Sequence, residues 1–265
     1  MIFMLNELQL TQFKIFGFVV LRGILLSDEI TTAHAEFDIA LANARRQMEA
    51  SGVLGQLNWT HQRPDTPFLA SLMEDERFFG SAKQLLGDDA IGSFARANAF
   101  SGDRTEWHPD VFNAHWRGIK FGFYLQPLDS ETGALRLIPG SHKEPFFSEI
   151  RRIELKDSFA GTEDIEGLGV DEMPAFITAS EPGDVVLFDN RTWHGSWGGG
   201  KERRMCTVGY FAYPRTPEEV AATHSMANSI AKLEGEWPAV RPHDDWINNV
   251  DGSLTCPHWL YHSLC

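Results

Sequence analysis

Apolar residues in the first third of the chain recur at the spacing of helices. Residues 7–14 predict a short helix, which is followed by the apolar strand Gly17–Leu21. Ser27 is a favourable N-cap for a long amphipathic helix that extends to about Glu49, and the two acidic residues after it suit the positive end of the helix dipole. Residues 74–87 predict a further helix that ends at a glycine.

From residue 90 onward, short strand-like runs replace the helical pattern. These runs are bounded by Gly, Pro or Asp turns, and they cover residues 91–100, 118–125, 134–139, 184–188 and 203–213. A last helix is predicted from about Pro217 to Leu233. Helices followed by many short strands predict a mainly β protein, a sandwich or barrel with flanking helices that buttress one sheet.

The pattern predicts one domain over residues 1–265. Residues 1–89 would be a helical part that supports the barrel, residues 90–213 the β core, and residues 214–265 a C-terminal helix and tail. Within the core, residues 143–182 are acidic, contain glycine and show no clear periodicity, which is typical of a lid or a disordered insert. This insert and the Trp-rich tail are candidates for closing over a pocket.

Composition narrows the class of partner. The 265 residues include 23 Lys and Arg against 37 Asp and Glu, a formal net charge of −14, so we expect neither nucleic acid nor a membrane surface as a partner. A small-molecule substrate remains, even an anionic one, because a few basic side chains can reverse the sign inside a pocket. The three cysteines contain no C-x-x-C pair, which favours a reducing, cytoplasmic setting. Glu7 and Lys14 interrupt the apolar start, so no targeting segment is predicted.

Two histidines and one aspartate carry the most specific chemistry in the sequence. His108 and Asp110 stand in the run WHPD, and alternate residues of a strand point to the same face, so both can face one ion. His194, in the run RTWHGS, would come from another strand. Two imidazoles and a carboxylate bind non-haem Fe(II) on one face and leave the opposite positions open, with Mn, Co or Zn as alternatives. On its own, an H-x-D is more often a surface turn or a structural hydrogen bond.

Four stretches together resemble the phytanoyl-CoA dioxygenase family, a branch of the Fe(II)/2-oxoglutarate oxygenases. They are Leu10–Leu25, Trp107–Asp110, Thr132–His142 and Pro182–Ser196, the last followed by Arg203, and they span roughly residues 7–213 in the family's order. The resemblance implies a double-stranded β-helix core of the jelly-roll, cupin-like type. It also implies Fe(II), the co-substrate 2-oxoglutarate and O2 as cofactors.

The resemblance extends to residues that would hold 2-oxoglutarate. In the family an arginine after the distal histidine grips the far carboxylate, and its register favours Arg203 over Arg204. Ser196 matches a hydroxyl that helps to hold the same carboxylate, with a turn serine as the alternative. Asn98 and Phe123 occupy strands where the family has co-substrate contacts; an ordinary strand-end Asn and a core Phe are the alternatives.

Aromatic and basic residues close to the ligand motifs are candidates for the substrate pocket, although core packing or a solvated surface is the alternative for each. They are Trp107, His115, Trp116, Arg117, Arg191 and Trp193.

The resemblance implies a dioxygenase that hydroxylates or desaturates a small metabolite and releases succinate and CO2. Related iron halogenases lack the carboxylate ligand, so the retained Asp110 argues against halogenation. No CoA-binding signature is recognised, which favours a free metabolite over a thioester. The alternatives are a cupin-like metal-dependent isomerase or lyase, which would need no arginine after His194, and a non-catalytic metal-binding domain.

Overall fold

The structure is a computed structural model that describes residues 4–51, 57–100, 104–150, 164–165, 168–169, 173–199, 203–236 and 238–243. Its helices are α1 (Glu7–Phe16), α2 (Ser27–Ser51), α3 (Pro67–Ser71), α4 (Glu76–Leu86) and α5 (Pro217–Glu236), with a 3-10 turn at Pro238–Val240. No helix within these ranges is long and apolar enough to cross a membrane. Its strands are β1 (Phe18–Leu21), β2 (Leu57–Thr60), β3 (Ile91–Phe100), β4 (Arg104–His108), β5 (Gly118–Tyr124), β6 (Arg136–Leu137), β7 (Asp164–Ile165), β8 (Leu168–Gly169), β9 (Phe176–Ile177), β10 (Val185–Asp189), β11 (His194–Trp197) and β12 (Arg203–Phe211).

Two antiparallel sheets form the core. The larger has the strand order β1-β10-β5-β12-β3-β2 and the smaller the order β4-β11-β6-β9, while β7 and β8 form a separate hairpin. Neighbouring strands are mostly distant in sequence, as expected when two sheets are wound together from one chain. The predicted mainly β architecture with flanking helices is confirmed.

Strand β12 lies between β5 and β3, and its alternating side chains show what each face of the larger sheet contacts. Its register runs from Arg203 opposite Phe100 to Phe211 opposite Ile91. Alternation sends the Arg203 side chain toward the smaller sheet and Cys206 into the core beneath the helices, where that thiol is buried and free. The larger sheet therefore has a face that packs on helices and a face that borders a cavity.

The main hydrophobic core lies between the larger sheet and the helices. The apolar stripe of α2 predicted from the sequence is buried there, and Phe37 meets Trp59 edge to face at 4.9 Å. Phe78 of α4 packs in the same way on Phe121 of β5 at 5.2 Å. Each such buried side chain contributes on the order of 1.5–3 kcal/mol, so these contacts fix the helices against the sheet.

Helix boundaries differ slightly from the sequence prediction. The helix α2 begins at Ser27 itself, so Ser27 is its first residue and not its N-cap. The backbone amide of Leu26, just before the helix, donates to the Glu29 side chain at 2.7 Å. The helix α4 begins two residues later than predicted because the Asp75 side chain accepts from Arg77 N and caps it.

The two flanks of the predicted insert pack on or pair with the smaller sheet, whereas β7 and β8 within it form the separate hairpin. Phe147 and Ile150 are buried against Trp107 and Trp193, and β9 pairs with β6. These flanks of residues 143–182 belong to the folded core, and the lid-like role of the insert stays a prediction. Residues 151–163 and the tail 244–265, with Cys256 and Cys265, lie outside the described residues, and the single-domain division stays a prediction.

Gly17 docks the N-terminal part onto the turn that precedes His194. It has a φ of 84°, and a Cβ there would lie 2.5 Å from both His142 Nδ1 and Thr192 Oγ1. Its carbonyl accepts from Asp189 N at 2.8 Å and from Thr192 Oγ1 at 3.1 Å. Both the backbone conformation and the close approach require glycine.

We predict that Gly17→Ala lowers the free energy of unfolding by about 3 kcal/mol, because left-handed strain and overpacking add. Gly23→Ala is the matched control, since Gly23 also has a positive φ of 60° but nothing lies within 4 Å of its Cβ position. That variant should lose only about 1 kcal/mol. Urea denaturation compares them, and equal losses would contradict the role assigned to the contacts of Gly17.

Candidate active site

A cavity of about 360 Å³ lies between the two sheets, within the range of small-molecule sites. Arg203 and Tyr124 lie at one end, and His108, Asp110 and His194 line its wall. The rest of the lining includes apolar side chains from three different elements. Those are Phe94, Val111, Trp116, Met226 and Ile230.

Strand pairing brings the three predicted ligand residues together. His108 ends β4 and His194 begins β11, and the two stand opposite each other in the register of the smaller sheet, with ring centroids 4.4 Å apart. Asp110 lies just beyond β4, with Oδ1 3.8 Å from His194 Nε2. One ligand atom from each residue lies within 4.8 Å of the other two. These atoms can therefore converge on one metal ion.

Backbone carbonyls fix the orientation of both imidazoles. His108 Nδ1 lies 2.7 Å from Glu106 O, and His194 Nδ1 lies 2.9 Å from Thr192 O. A carbonyl oxygen only accepts, so each Nδ1 carries the hydrogen and donates it. The Nε2 atoms then keep their lone pairs for a metal, which is the usual arrangement around metal-binding histidines.

The charge states of the ligands also suit a metal. Burial, together with the neighbouring His108, lowers the pKa of His194 to about 3, so this imidazole is neutral at physiological pH. Burial works against the charged form of Asp110, but Lys120, His194 and His108 outweigh it and hold the pKa of Asp110 below its usual value. A neutral imidazole and an ionised carboxylate are the forms that coordinate metals.

Arg203 is a buried cation at one end of the cavity. Its Nη1 donates to Gly133 O at 2.9 Å and to Ser196 Oγ, and its guanidinium lies over the Phe100 ring. Arg204 points to the helix side, where Nη1 donates to Asp38 Oδ1 at 2.8 Å. The structure thus places Arg203, not Arg204, in the cavity, as the predicted register requires.

Of the other predicted co-substrate contacts, Ser196 and Asn98 line the cavity but Phe123 does not. Phe123 is buried in the core between the larger sheet and the helices, and Tyr124 faces the cavity instead. The aromatic side chain of β5 that lines the cavity is therefore that of Tyr124, one residue after the predicted Phe123, because successive strand residues point to opposite faces. Burial raises the pKa of Tyr124 to about 12, so its phenol is a neutral hydrogen-bond donor.

Trp116 is the predicted pocket aromatic that borders the cavity, where it stacks on Phe211 at 4.8 Å. Trp107 and Trp193 are buried in a separate cluster with Phe147 behind the smaller sheet. Trp107 and Trp193 each directly precede a ligand histidine in the chain. Because adjacent residues of an extended strand point to opposite faces, each tryptophan points away from the side that its histidine faces.

Three further predicted pocket residues, from the loop before β5 and the turn before His194, do not line this cavity. His115 and Arg117 are exposed. Arg191 pairs with Asp189 at 3.0 Å and lines a second cavity that also contacts Lys143. These three predictions from sequence proximity are not supported by the structure.

Sequence reasoning missed several residues that line the cavity. The alternation that places Arg203 inward also places Met205 and Thr207 inward, so that signal was available. Met226 and Ile230 have the i, i+4 spacing of one helix face, but the sequence does not say which surface α5 covers.

The family model described as Phytanoyl-CoA dioxygenase (PhyH) matches residues 13–206. An ectoine dioxygenase of Stutzerimonas stutzeri is 26% identical over 212 residues, which are 69% of this chain and 68% of that protein. One of Bordetella bronchiseptica is 27% identical over 204 residues, 68% of this chain and 66% of that protein. The match thus spans about two thirds of these relatives.

Solved structures share the fold. EctD from S. alaskensis, solved with 2-oxoglutarate and 5-hydroxyectoine, has a TM-score of 0.58 at 22% identity and covers 78% of this chain and 76% of its own. HygX from Streptomyces hygroscopicus, solved with nickel and 2-oxoglutarate, has a TM-score of 0.57 at 19% identity over 78% of this chain and 87% of its own. These similarities confirm the predicted double-stranded β-helix.

We predict that His108→Ala weakens Co(II) binding by about 100-fold or more, because one of three converging ligands is lost. His115→Ala is the control, since His115 is exposed in the loop that follows and lies away from the cluster. Its Co(II) affinity should match that of the unsubstituted protein. Isothermal titration measures both, and comparable losses would show that the metal binds elsewhere.

Proposed function

This chain belongs to the phytanoyl-CoA dioxygenase family, and from that premise we propose a non-haem Fe(II)- and 2-oxoglutarate-dependent dioxygenase that hydroxylates a small metabolite. Succinate and CO2 are the co-products. The observation that carries the proposal is one cavity that holds both a His-Asp-His cluster and, at its end, a buried arginine paired with a serine.

The cluster fits iron by its donor set. Two neutral imidazoles and one carboxylate on the same side of an ion suit Fe(II) and leave further coordination positions toward the cavity. His108, Asp110 and His194 would be the ligands. Iron bound there would supply the activation of O2, driven by oxidative decarboxylation of 2-oxoglutarate.

The other end of the cavity fits the far carboxylate of 2-oxoglutarate. A guanidinium offers parallel N–H donors to a carboxylate and keeps its charge when buried, and Arg203 is 4% exposed. Ser196 Oγ already contacts Arg203 and can turn its hydroxyl to the same carboxylate. Asn98 and Tyr124 add further polar groups to the lining of the same cavity.

The rest of the cavity orients the substrate and excludes water. Met226 and Ile230 of α5 and Trp116 contribute apolar side chains to the lining, and Thr207 contributes a hydroxyl. The cavity volume of about 360 Å³ has to hold the co-substrate and the reacting part of the substrate together. This size favours a free small metabolite over a CoA thioester, and the ectoine dioxygenases among its relatives make ectoine the first compound to test.

A metal-dependent isomerase or lyase without 2-oxoglutarate would have no use for Arg203 at the end of the cavity. The buried Arg203–Ser196 pair therefore favours the oxygenase over that alternative and over a non-catalytic metal-binding domain.

We predict that Arg203→Ala weakens 2-oxoglutarate binding to the Co(II)-loaded protein by about 100-fold, because a charged carboxylate loses its paired donors. Arg204→Ala removes the same charge one residue away, on the helix side of the sheet. Its 2-oxoglutarate affinity should change by no more than about twofold. Titration calorimetry separates the two, and equal losses would mean that the cavity arginine does not hold the co-substrate.

We also predict that the protein converts 2-oxoglutarate to succinate only when Fe(II) and O2 are both present. A metabolite fraction containing the substrate should accelerate the reaction and yield a product heavier by one oxygen atom. His108→Ala, which lacks one ligand, should form no succinate. Mass spectrometry follows both products, and succinate formation that persists in His108→Ala or without Fe(II) would argue against this function.

A further inference from the structure

Lys120 forms an ion pair with the predicted metal ligand Asp110. Lys120 Nζ lies 2.7 Å from Asp110 Oδ1, the same oxygen that lies 3.8 Å from His194 Nε2. Lys120 belongs to β5 in the larger sheet, whereas Asp110 follows β4 of the smaller sheet. The ion pair therefore crosses the cavity at the point where the metal would bind.

The surroundings of Lys120 hold its ammonium in the cavity. Lys120 stands opposite Phe188 on one neighbouring strand and opposite Gly209 on the other. Its ammonium lies 5.2 Å from the centroid of the Phe188 ring, and Gly209 adds no side chain beside it. The Lys120 side chain is 15% exposed, so most of it is enclosed by the protein.

Asp110 is anchored differently from the two histidines. Each histidine is held by a backbone carbonyl through Nδ1, whereas Asp110 lies beyond the end of β4, outside the strand pairing. Its carboxylate accepts a hydrogen bond from Lys120 Nζ at 2.7 Å, whereas His194 Nε2 lies farther away, at 3.8 Å. The described carboxylate of the third predicted ligand is thus hydrogen-bonded by a lysine from the opposite sheet.

We infer that Lys120 is a positioning residue, a built-in counter-ion that holds Asp110 in the cluster until a metal takes its place as the partner of the carboxylate. The inference rests on the proposed metal site. In the metal-free protein, Lys120 neutralises the partly enclosed carboxylate of Asp110. Once a divalent ion is bound, the same ammonium is a neighbouring like charge that opposes the ion.

The counter-ion role predicts that removal of Lys120 lowers the stability of the metal-free protein but raises its affinity for the metal. Without Lys120 the metal-free protein loses stability, because the Asp110 carboxylate is left in the cavity without its counter-ion. The metal-bound protein loses much less, because the metal then neutralises Asp110. By linkage, a protein without Lys120 gains more stability from the metal and binds it more tightly.

The test compares Lys120→Met, Lys120→Arg and Lys83→Met with the unsubstituted protein. Lys120→Met keeps the length of the side chain without its charge, and Lys120→Arg keeps the charge. Lys83 is the matched control, because it also lies over an aromatic ring, Phe79, and beside a carboxylate, Glu76, but away from the cavity. Each variant is melted without metal and with saturating Co(II), and its Co(II) dissociation constant is measured.

For Lys120→Met we expect a melting temperature about 3 °C or more below that of the unsubstituted protein without metal, and a clearly smaller difference with Co(II). Its Co(II) affinity should be tighter by about tenfold or more. Lys120→Arg should resemble the unsubstituted protein in both measurements. Lys83→Met should show the same small change in melting temperature with and without Co(II).

An equal loss of stability in both forms, or a Co(II) affinity that is unchanged or weaker in Lys120→Met, would overturn the counter-ion role. Should Lys120→Met be unfolded without metal, Co(II) must refold it, and failure to do so overturns the role as well. An unsubstituted protein that binds no Co(II) would instead refute the metal site, and with it the proposed function.

Discussion

The cross-strand pair of His108 and His194 is the constraint on which the site depends. Because β4 and β11 are hydrogen-bonded in a register that sets these residues opposite each other, both rings reach the same side of the smaller sheet. Asp110 follows two residues after His108, just beyond the end of β4, and completes the cluster. The turn before His194 is in turn fixed by its contacts with Gly17, so the N-terminal part of the chain supports the same geometry.

Charge is distributed along the cavity in a way that suits the proposed reaction. A buried arginine lies at one end, and a carboxylate with a lysine partner lies at the metal cluster. One cavity thus contains both a cation that can pair with an anionic co-substrate, Arg203, and the candidate metal cluster of His108, Asp110 and His194. The protein as a whole is strongly acidic, so these local cations, not the net charge, determine which small anions the cavity accepts.

Strand periodicity explains which site residues the sequence could predict. The H-x-D spacing and the inward position of Arg203 follow from alternation in strands whose register a motif fixes. Phe123 was misplaced because β5 is buried on both faces, so its apolar run carries no alternation that distinguishes one face from the other. Trp107 and Trp193 were assigned to the pocket by proximity, although alternation turns them away from their neighbouring histidines. Sequence patterns also do not show that α5 covers the cavity, because that contact depends on tertiary packing.

The proposed function requires that the metal and 2-oxoglutarate bind side by side in one cavity. Anaerobic visible spectroscopy detects this arrangement, because chelation of Fe(II) by the 2-oxo acid gives a weak charge-transfer band that neither component gives alone. We expect this band to appear when Fe(II) and 2-oxoglutarate are both added to the protein. Separate binding of Fe(II) and 2-oxoglutarate without the band would contradict it.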